Sequence, residues 1–178
     1  QWLAMIAELD GAICVSKATT EEFERWLSEK GINKSPTFHI SWVHNGADME
    51  CAHPSQGLPE GAKSLLKTLK KYPTMLCVST LEPRKQQQQI LEAVERLWDT
   101  GTNINLVLVG LQGWNVEALA EKIRHHPEQG KRLFWLEGIS DEYLEQIYKV
   151  STVLIAASLN EGFGLPLIEG ARHELPLL

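Results

Sequence analysis

Short apolar runs alternate along this chain with stretches whose apolar residues recur at helical spacing, and that alternation confines the fold to a parallel sheet with helical crossovers. The runs read as strands are Ala12–Val15, Phe38–Val43, Met75–Ser79, Ile104–Val109, Leu133–Leu136 and Val153–Ala156. Most are apolar throughout rather than at every second position, as expected of strands covered on both faces. The intervening helices should run about three turns. Thr19 and Glu22 have capping-box spacing and predict a helix opening at Thr19, with Phe23, Trp26 and Leu27 on one face and Gly31 as its stop. A second helix is predicted from about Gln87 to Trp98, where Ile90, Leu91, Val94, Leu97 and Trp98 form a stripe and Gly101 closes the segment. The Gln86–Gln89 run is its first turn. A third spans about Asn115 to Arg124. A fourth begins at Ser140, with Asp141 and Glu142 at the positive end of the helix dipole, and packs through Leu144, Ile147 and Tyr148.

The fold class that follows is α/β: a Rossmann-like parallel sheet flanked by helices. The Pro- and Gly-rich stretch from Asp48 to Gly61 lacks periodicity and is the candidate linker. It divides residues 1–50, the end of one domain, from residues 51–178, most of a second. A new apolar run, Leu175–Leu178, begins where the sequence stops, so the second domain is expected to continue.

With 43% apolar and 22% charged residues among 178, the chain has the balance of a globular protein with a real core. A formal net charge of -6 supplies no global positive field for a polyanion, which argues against nucleic acid and requires any phosphate to be met locally. The cysteines, Cys14, Cys51 and Cys77, are odd in number and widely spaced, with only Cys51-Ala52-His53 as a close Cys/His neighbour; this points to a reducing compartment. No apolar run approaches the roughly 18 residues needed to cross a bilayer. The Gln1–Asp10 stretch has no basic start or small-residue cleavage site. The expectation is a cytoplasmic protein, compatible with peripheral contact at the inner face of a membrane through parts outside this chain.

The densest chemical cluster is Asn160-Glu161-Gly162-Phe163-Gly164-Leu165-Pro166-Leu167-Ile168-Glu169, between the strand at Val153–Ala156 and a short helix. Ligands of open α/β sheets bind beyond the carboxyl ends of the strands, where this loop must lie. Its glycines would let backbone approach a ligand, Pro166 suits a first helical turn, and free N–H groups there could bind phosphate. Equally, Gly162 and Gly164 could simply shape a tight turn. Glu161 and Glu169 are eight positions apart, and a loop folding back into the helix would turn both to one cavity. A second cluster, Glu82-Pro83-Arg84-Lys85, follows the strand at Met75–Ser79 on the same rim. Arg84 could meet a diphosphate through its fork of donors and Lys85 as a mobile point charge, although many such pairs are merely solvated. His125-His126 read as the solvent-facing end of a helix, His44 as packing near the linker, and Trp114 and Trp135 as buried.

The Glu-Gly-Phe-Gly-Leu-Pro-Leu-Ile-Glu segment from Glu161, with Glu82-Pro83-Arg84-Lys85, the strand Leu106–Gly110 and the turn Leu136-Glu137-Gly138-Ile139-Ser140-Asp141, resembles retaining glycosyltransferases of family 4, which have the GT-B fold. Gly11–Phe23 and His44-Asn45-Gly46-Ala47-Asp48 similarly resemble the end of that family's acceptor domain and the crossover to its donor domain. The resemblance implies an enzyme that moves a hexose from a nucleotide-diphosphate sugar to a glycan or lipid-linked acceptor with retention. The Glu-Pro-Arg-Lys variant is similar to mannosyl- and rhamnosyltransferases of polysaccharide assembly and favours a mannose-like donor. It further implies that Glu161 contacts donor-sugar hydroxyls near the reacting carbon and that Glu169 holds the ribose hydroxyls. Lys85, helped by Arg84, would bind the diphosphate and stabilise the departing charge. Backbone groups of Gly162, Phe163, Gly164 and Leu165 would serve the phosphate end, and Leu136–Ile139, with Gly138 and Ile139, would border the base. No metal or other cofactor is expected.

The sequence departs from the family where many relatives carry Arg and this chain has Ser79-Thr80. It departs again where Gln86 and Glu174 stand in place of glycine, Glu174 within Gly170-Ala171-Arg172-His173-Glu174-Leu175-Pro176. Alternative readings are a non-catalytic nucleotide-binding module, or an epimerase or phosphorylase of the same fold; a phosphorylase would need a pyridoxal phosphate lysine, for which there is no local signature.

Overall fold

The computed structural model describes residues 2–46 and 57–178, so the middle of the predicted linker, the Cys51-Ala52-His53 neighbours and the domain boundary near residue 50 lie outside the described residues. The chain divides into two compact units, Gln1–Asp48 with Glu161–Gly164, and Met49–Asn160 with Leu165–Leu178.

In the first unit, α1 (Trp2–Ile6) precedes β1 (Gly11–Cys14), α2 (Lys17–Glu29) and β2 (His39–Trp42). The strands pair in parallel from Gly11 opposite His39 to Cys14 opposite Trp42. A Cβ on Gly11 would stand 2.5 Å from the His39 carbonyl oxygen, which explains glycine at the start of β1. The predicted capping box at Thr19 is not the helix start. Ser16 is the N-cap, its hydroxyl accepting the Thr19 N–H at 3.2 Å, because a serine in extended conformation ahead of Lys17 satisfies the first-turn donors earlier. Gly31 ends the helix as expected: at φ +61 it bonds the Ser28 carbonyl while Ile32 bonds that of Leu27, a Schellman arrangement.

The second unit holds α3 (Ala62–Leu69), β3 (Thr74–Val78), a 3-10 turn at Pro83–Lys85, α4 (Gln87–Asp99), β4 (Asn105–Val109), α5 (Glu117–Arg124), β5 (Leu133–Leu136), α6 (Asp141–Val150), β6 (Val153–Leu154) and α7 (Leu165–Arg172). The strands pair in parallel in the order β5-β4-β3-β6. Beside β6 the segment at Leu177 adds a further parallel bridge to Leu154, so the terminal apolar run does join the sheet edge. All five residues of β4 are buried. Their side chains alternate between two clusters: Leu106 and Leu108 join Leu91, Val94, Trp98, Ala120 and Ile123 of α4 and α5, while Val107 and Val109 join Leu69 of α3 and Tyr143, Ile147 and Tyr148 of α6. Each helix stripe thus has a matching sheet face.

The strand and helix positions agree with the sequence reading to within a residue or two, except that β6 is paired with β3 over only two residues and the third predicted helix starts at Glu117. Helices α1 and α3 had no strong sequence signal. Two aromatic and histidine assignments reverse. Trp114 is 61% exposed, because it lies in the loop beyond β4 rather than on a strand or helix face. His126 is largely enclosed: its ring lies 5.6 Å from that of Trp98, and its Nε2 meets the Glu95 carboxylate at 3.0 Å. Burial pushes the Glu95 carboxyl up, but the bonds and charges of Lys122 and His126 together hold it below the usual range. His125 is solvent-facing as expected, and Trp135 is part-buried, its indole N–H donating to the Gly110 carbonyl at 2.9 Å.

Polar residues lock the end of the sheet opposite the ligand rim. Asn105 Nδ2 donates to the Leu69 carbonyl at 3.1 Å and to Thr74 Oγ1 at 3.0 Å, and the Thr74 hydroxyl in turn donates to the Leu69 carbonyl. Trp98 closes the turn into β4 through a bond to the Ile104 carbonyl. The two positions at which the family resemblance expects glycine, Gln86 and Glu174, both adopt left-handed backbone, at φ +56 and +58. Glycine takes that conformation without the Cβ clash that costs other residues about 1–2 kcal/mol.

Two consequences are measurable by thermal or denaturant unfolding. Gly110, at φ +145 with a prospective Cβ 2.1 Å from the Ser79 oxygen, should not tolerate a side chain: Gly110→Ala should cost at least ~2 kcal/mol, against about 1 kcal/mol for Gly130→Ala, where only the backbone angle is unfavourable. Glu174→Gly should instead stabilise the chain by about 0.5–1 kcal/mol, by relieving the left-handed conformation.

Candidate functional site

In a parallel sheet all carboxyl ends emerge on one rim, and the strand order selects a place on it. The chain leaves β3 towards β4 on one side, whereas β6 lies against the other side of β3. The switch point is between β3 and β6, where the loops leaving the two strands part, and it is at such points that open α/β sheets bind ligands.

The loop after β3 carries Glu82–Lys85. Glu82 is extended, Pro83 takes the first position of the 3-10 turn, where its missing N–H is not missed, and the turn ends at left-handed Gln86. Gln87, 1% exposed, holds this loop from inside: its amide donates to Ser79 Oγ and to the Thr80 carbonyl, both at 2.8 Å, and its oxygen accepts the Glu82 N–H. The residues Ser79-Thr80, where the family resemblance leads one to expect Arg, are thus bound to Gln87. Arg84 links the turn to the loop after β6. Its carbonyl accepts the Leu159 N–H at 2.8 Å, and its guanidinium donates to the Asn160 carbonyl at 3.2 Å and to Glu82 at 2.9 Å. The predicted diphosphate helper is therefore also a brace between the two loops of the switch point. Lys85 differs from expectation in the opposite sense. It is 8% exposed, not a mobile charge on a solvated stem. An ammonium is costly to bury unless paired, so its surroundings in the loop after β3 must offset that cost.

On the β6 side, α7 presents Glu169. A Cβ on Gly170 would stand 2.7 Å from Leu154 Cδ2, so glycine lets α7 lie directly on β6 and sets the depth at which Glu169 sits. Tyr148 of α6, 1% exposed, donates its hydroxyl hydrogen to Glu169 Oε2 at 2.7 Å and stacks on His173 with centroids 5.0 Å apart. Burial, and then the Glu169 carboxylate, push the Tyr148 phenol far above its ordinary range, so the O–H remains a donor. Sequence reasoning placed Tyr148 in the apolar stripe of α6 and missed this contact; the signal was a tyrosine at a fully buried helical position, whose hydroxyl has to find a partner.

The glycine loop packs with the first unit. A Cβ on Gly162 would lie 3.1 Å from Val15, and the Phe163 ring is 5.2 Å from that of His44, itself 4.8 Å from Trp42. His44 packs against aromatic rings, as expected. Glu161 belongs to this unit, whereas Glu169 belongs to the second. Gly164 is buried at φ +79 and Leu165, exposed, opens α7. On the β5 side of the rim, Gly138 turns the chain at φ +60, and Ile139 packs into the cluster beneath α6 ahead of its N-cap Ser140.

A groove of about 480 Å³ runs between the starts of α4 and α5, bordered by Glu82, Gln86, Gln89, Glu92, Asn115 and Glu117. Of the second predicted cluster only Glu82 and Pro83 line it, and neither Arg84, Lys85, Glu161 nor Glu169 does. Among the described residues no group of three or more His, Cys, Asp or Glu could hold a metal ion, and no helix is long and apolar enough to cross a membrane.

The family profile described as Glycosyl transferases group 1 matches residues 63–178. The chain is 47% identical to the serotype-specific mannosyltransferase WbdA of Escherichia coli over 99% of its own length and 22% of that protein's. It is 29% identical to the O-antigen chain mannosyltransferase B of Escherichia coli over 70% of this chain and 34% of that protein. It therefore spans about a fifth to a third of these curated relatives. Among solved structures, the pneumococcal O-GlcNAc transferase GtfA in complex with UDP and GlcNAc superposes with a TM-score of 0.65 at 19% identity, covering 98% of this chain and 31% of that one. That likeness establishes the α/β fold, with parallel sheets flanked by helices. Order of motifs, sheet topology and family profile agree, and the chain belongs to the group 1 glycosyltransferases.

Proposed function

We propose that this chain supplies the nucleotide-sugar-binding part of a retaining glycosyltransferase, residues 51–178, together with the end of its acceptor-side domain, residues 1–50. The reaction moves a hexose, with mannose favoured, from a nucleoside-diphosphate sugar to a hydroxyl of a glycan or lipid-linked acceptor. The observation that carries this reading is the switch point between β3 and β6, which has a buried cation on one side and a carboxylate pinned at one oxygen on the other. The 47% identity with a mannosyltransferase supports the choice of sugar.

In this reading the bond from the anomeric carbon to the diphosphate oxygen breaks and its electron pair leaves with the nucleotide. Lys85, fixed in place before the substrate arrives, stabilises the charge that accumulates there. Arg84 contributes the exposed part of its guanidinium while bracing the loops. These two cations, with no metal, meet the diphosphate. Glu169 accepts hydrogen bonds from the ribose hydroxyls, Glu161 holds donor-sugar hydroxyls near the reacting carbon, backbone groups of residues 162–165 approach the phosphates, and residues 136–139 border the base.

Calorimetric titration of the chain with GDP, UDP and dTDP tests this directly. One nucleotide should bind selectively, Lys85→Ala should weaken it about tenfold or more, and Glu169→Ala should weaken it by about 1.5–3 kcal/mol through the lost ribose bonds. Absence of binding to a demonstrably folded chain would overturn the reading. In an assay of mannosyl transfer, Glu161→Gln should abolish turnover without lowering the unfolding temperature, and unchanged turnover would remove Glu161 from the site.

A further inference from the structure

Glu169 is held from inside the fold. One oxygen, Oε2, accepts the hydroxyl hydrogen of Tyr148 at 2.7 Å, and among the described residues the other oxygen has no protein partner. Tyr148 is itself fixed on every side. It sits in α6 at 1% exposure within the cluster of Leu76, Val107, Phe134 and Leu154, and its ring lies flat on His173, 8° from parallel. The backbone carrying Glu169 is equally constrained, since Gly170 brings α7 onto Leu154 and Leu177, and the N–H groups of His173 and Leu175 close the helix end onto the Glu169 and Gly170 carbonyls.

A glutamate side chain ordinarily gives up rotamer freedom when it binds a ligand. Here the bond from Tyr148 takes up part of that freedom in the folded chain. The bond from a buried donor restrains one oxygen of the carboxylate and leaves the other available to a donor from a ligand. Packing alone does not call for this hydroxyl, because a phenylalanine would fill the same apolar cluster and keep the stack on His173 without needing a partner. A buried O–H is retained where its hydrogen bond has a use.

We infer that Tyr148 is the positioning residue for the nucleotide-binding carboxylate: it orients Glu169 so that the carboxylate meets a vicinal diol, the 2′- and 3′-hydroxyls of a ribose, without reorganising. Tyr148 does not itself touch the ligand. This rests on the donor-site reading above and adds to it a residue at which affinity for the ribose is set from within the core.

The test uses the whole chain and two probes, GDP and 2′,3′-dideoxy-GDP, which keeps base and diphosphate but lacks the diol. UDP and its dideoxy form replace them if UDP is the nucleotide that binds. Tyr148→Phe should weaken GDP binding about five- to tenfold and leave dideoxy-GDP binding unchanged. Glu169→Gln should likewise affect only the diol-bearing probe, and the double variant Tyr148→Phe/Glu169→Gln should be no weaker than Glu169→Gln alone, because the tyrosine acts only through the glutamate. Equal losses for both probes in Tyr148→Phe would mean that the hydroxyl supports the fold in general, and would overturn the inference. Selective loss in Glu169→Gln with none in Tyr148→Phe would also overturn it while leaving the donor site intact. If wild type binds both probes equally, Glu169 does not read the ribose, and the assignment of that role falls together with the inference.

Discussion

A parallel sheet has no face that can be left to water, because its crossovers lay helices on both sides, and β4 shows what that demands: five consecutive buried residues, with alternate side chains feeding two separate clusters. Once β4 is covered, α4 and α5 have to take one face and α3 and α6 the other. The connections between them must then all leave at the ends of the sheet. Chemistry is consequently confined to the carboxyl rim, while the opposite end is closed by the Asn105, Thr74 and Leu69 bonds.

The rim is shaped by close backbone approaches. Gly110 turns beside the Ser79 carbonyl, Gly113 bonds the Leu81 carbonyl, and Arg84 bonds the loop that follows β6. These contacts make the loops on either side of the switch point mutually dependent. A buried lysine and a pinned glutamate can be held in such a place only because the scaffold is rigid; on mobile loops, each would regain water and side-chain freedom. The same rigidity explains Gln86 and Glu174. Their left-handed backbone persists without glycine because neighbouring turns fix it: Gln86 bonds the Pro83 carbonyl through its own side chain, and Glu174 lies in the turn that closes α7.

Much of this was legible in the amino-acid order. All six strands appear at the predicted places, because wholly apolar runs bounded by turn residues admit few other structures. The two charged clusters each follow a strand, in the loops that leave β3 and β6. What misled was local. A capping-box spacing at Thr19 competed with a serine three residues earlier, and the serine won because an N-cap is decided by backbone conformation as well as by sequence spacing. Trp114 and His126 exchanged their expected environments, since a lone aromatic or histidine carries no periodicity from which burial can be read.

The sequence by itself determined the class of fold, the order of its elements and the residue types available at the rim, because those depend on hydrophobic period and turn chemistry within a few residues. Tertiary structure alone decided that β6 returns to the far side of β3, that Lys85 is buried while Arg84 is a brace, and that a tyrosine from the core holds Glu169. Each of these joins positions remote in the chain, such as Tyr148 with Glu169 and Arg84 with Asn160, and no local propensity specifies which distant partner a side chain will meet.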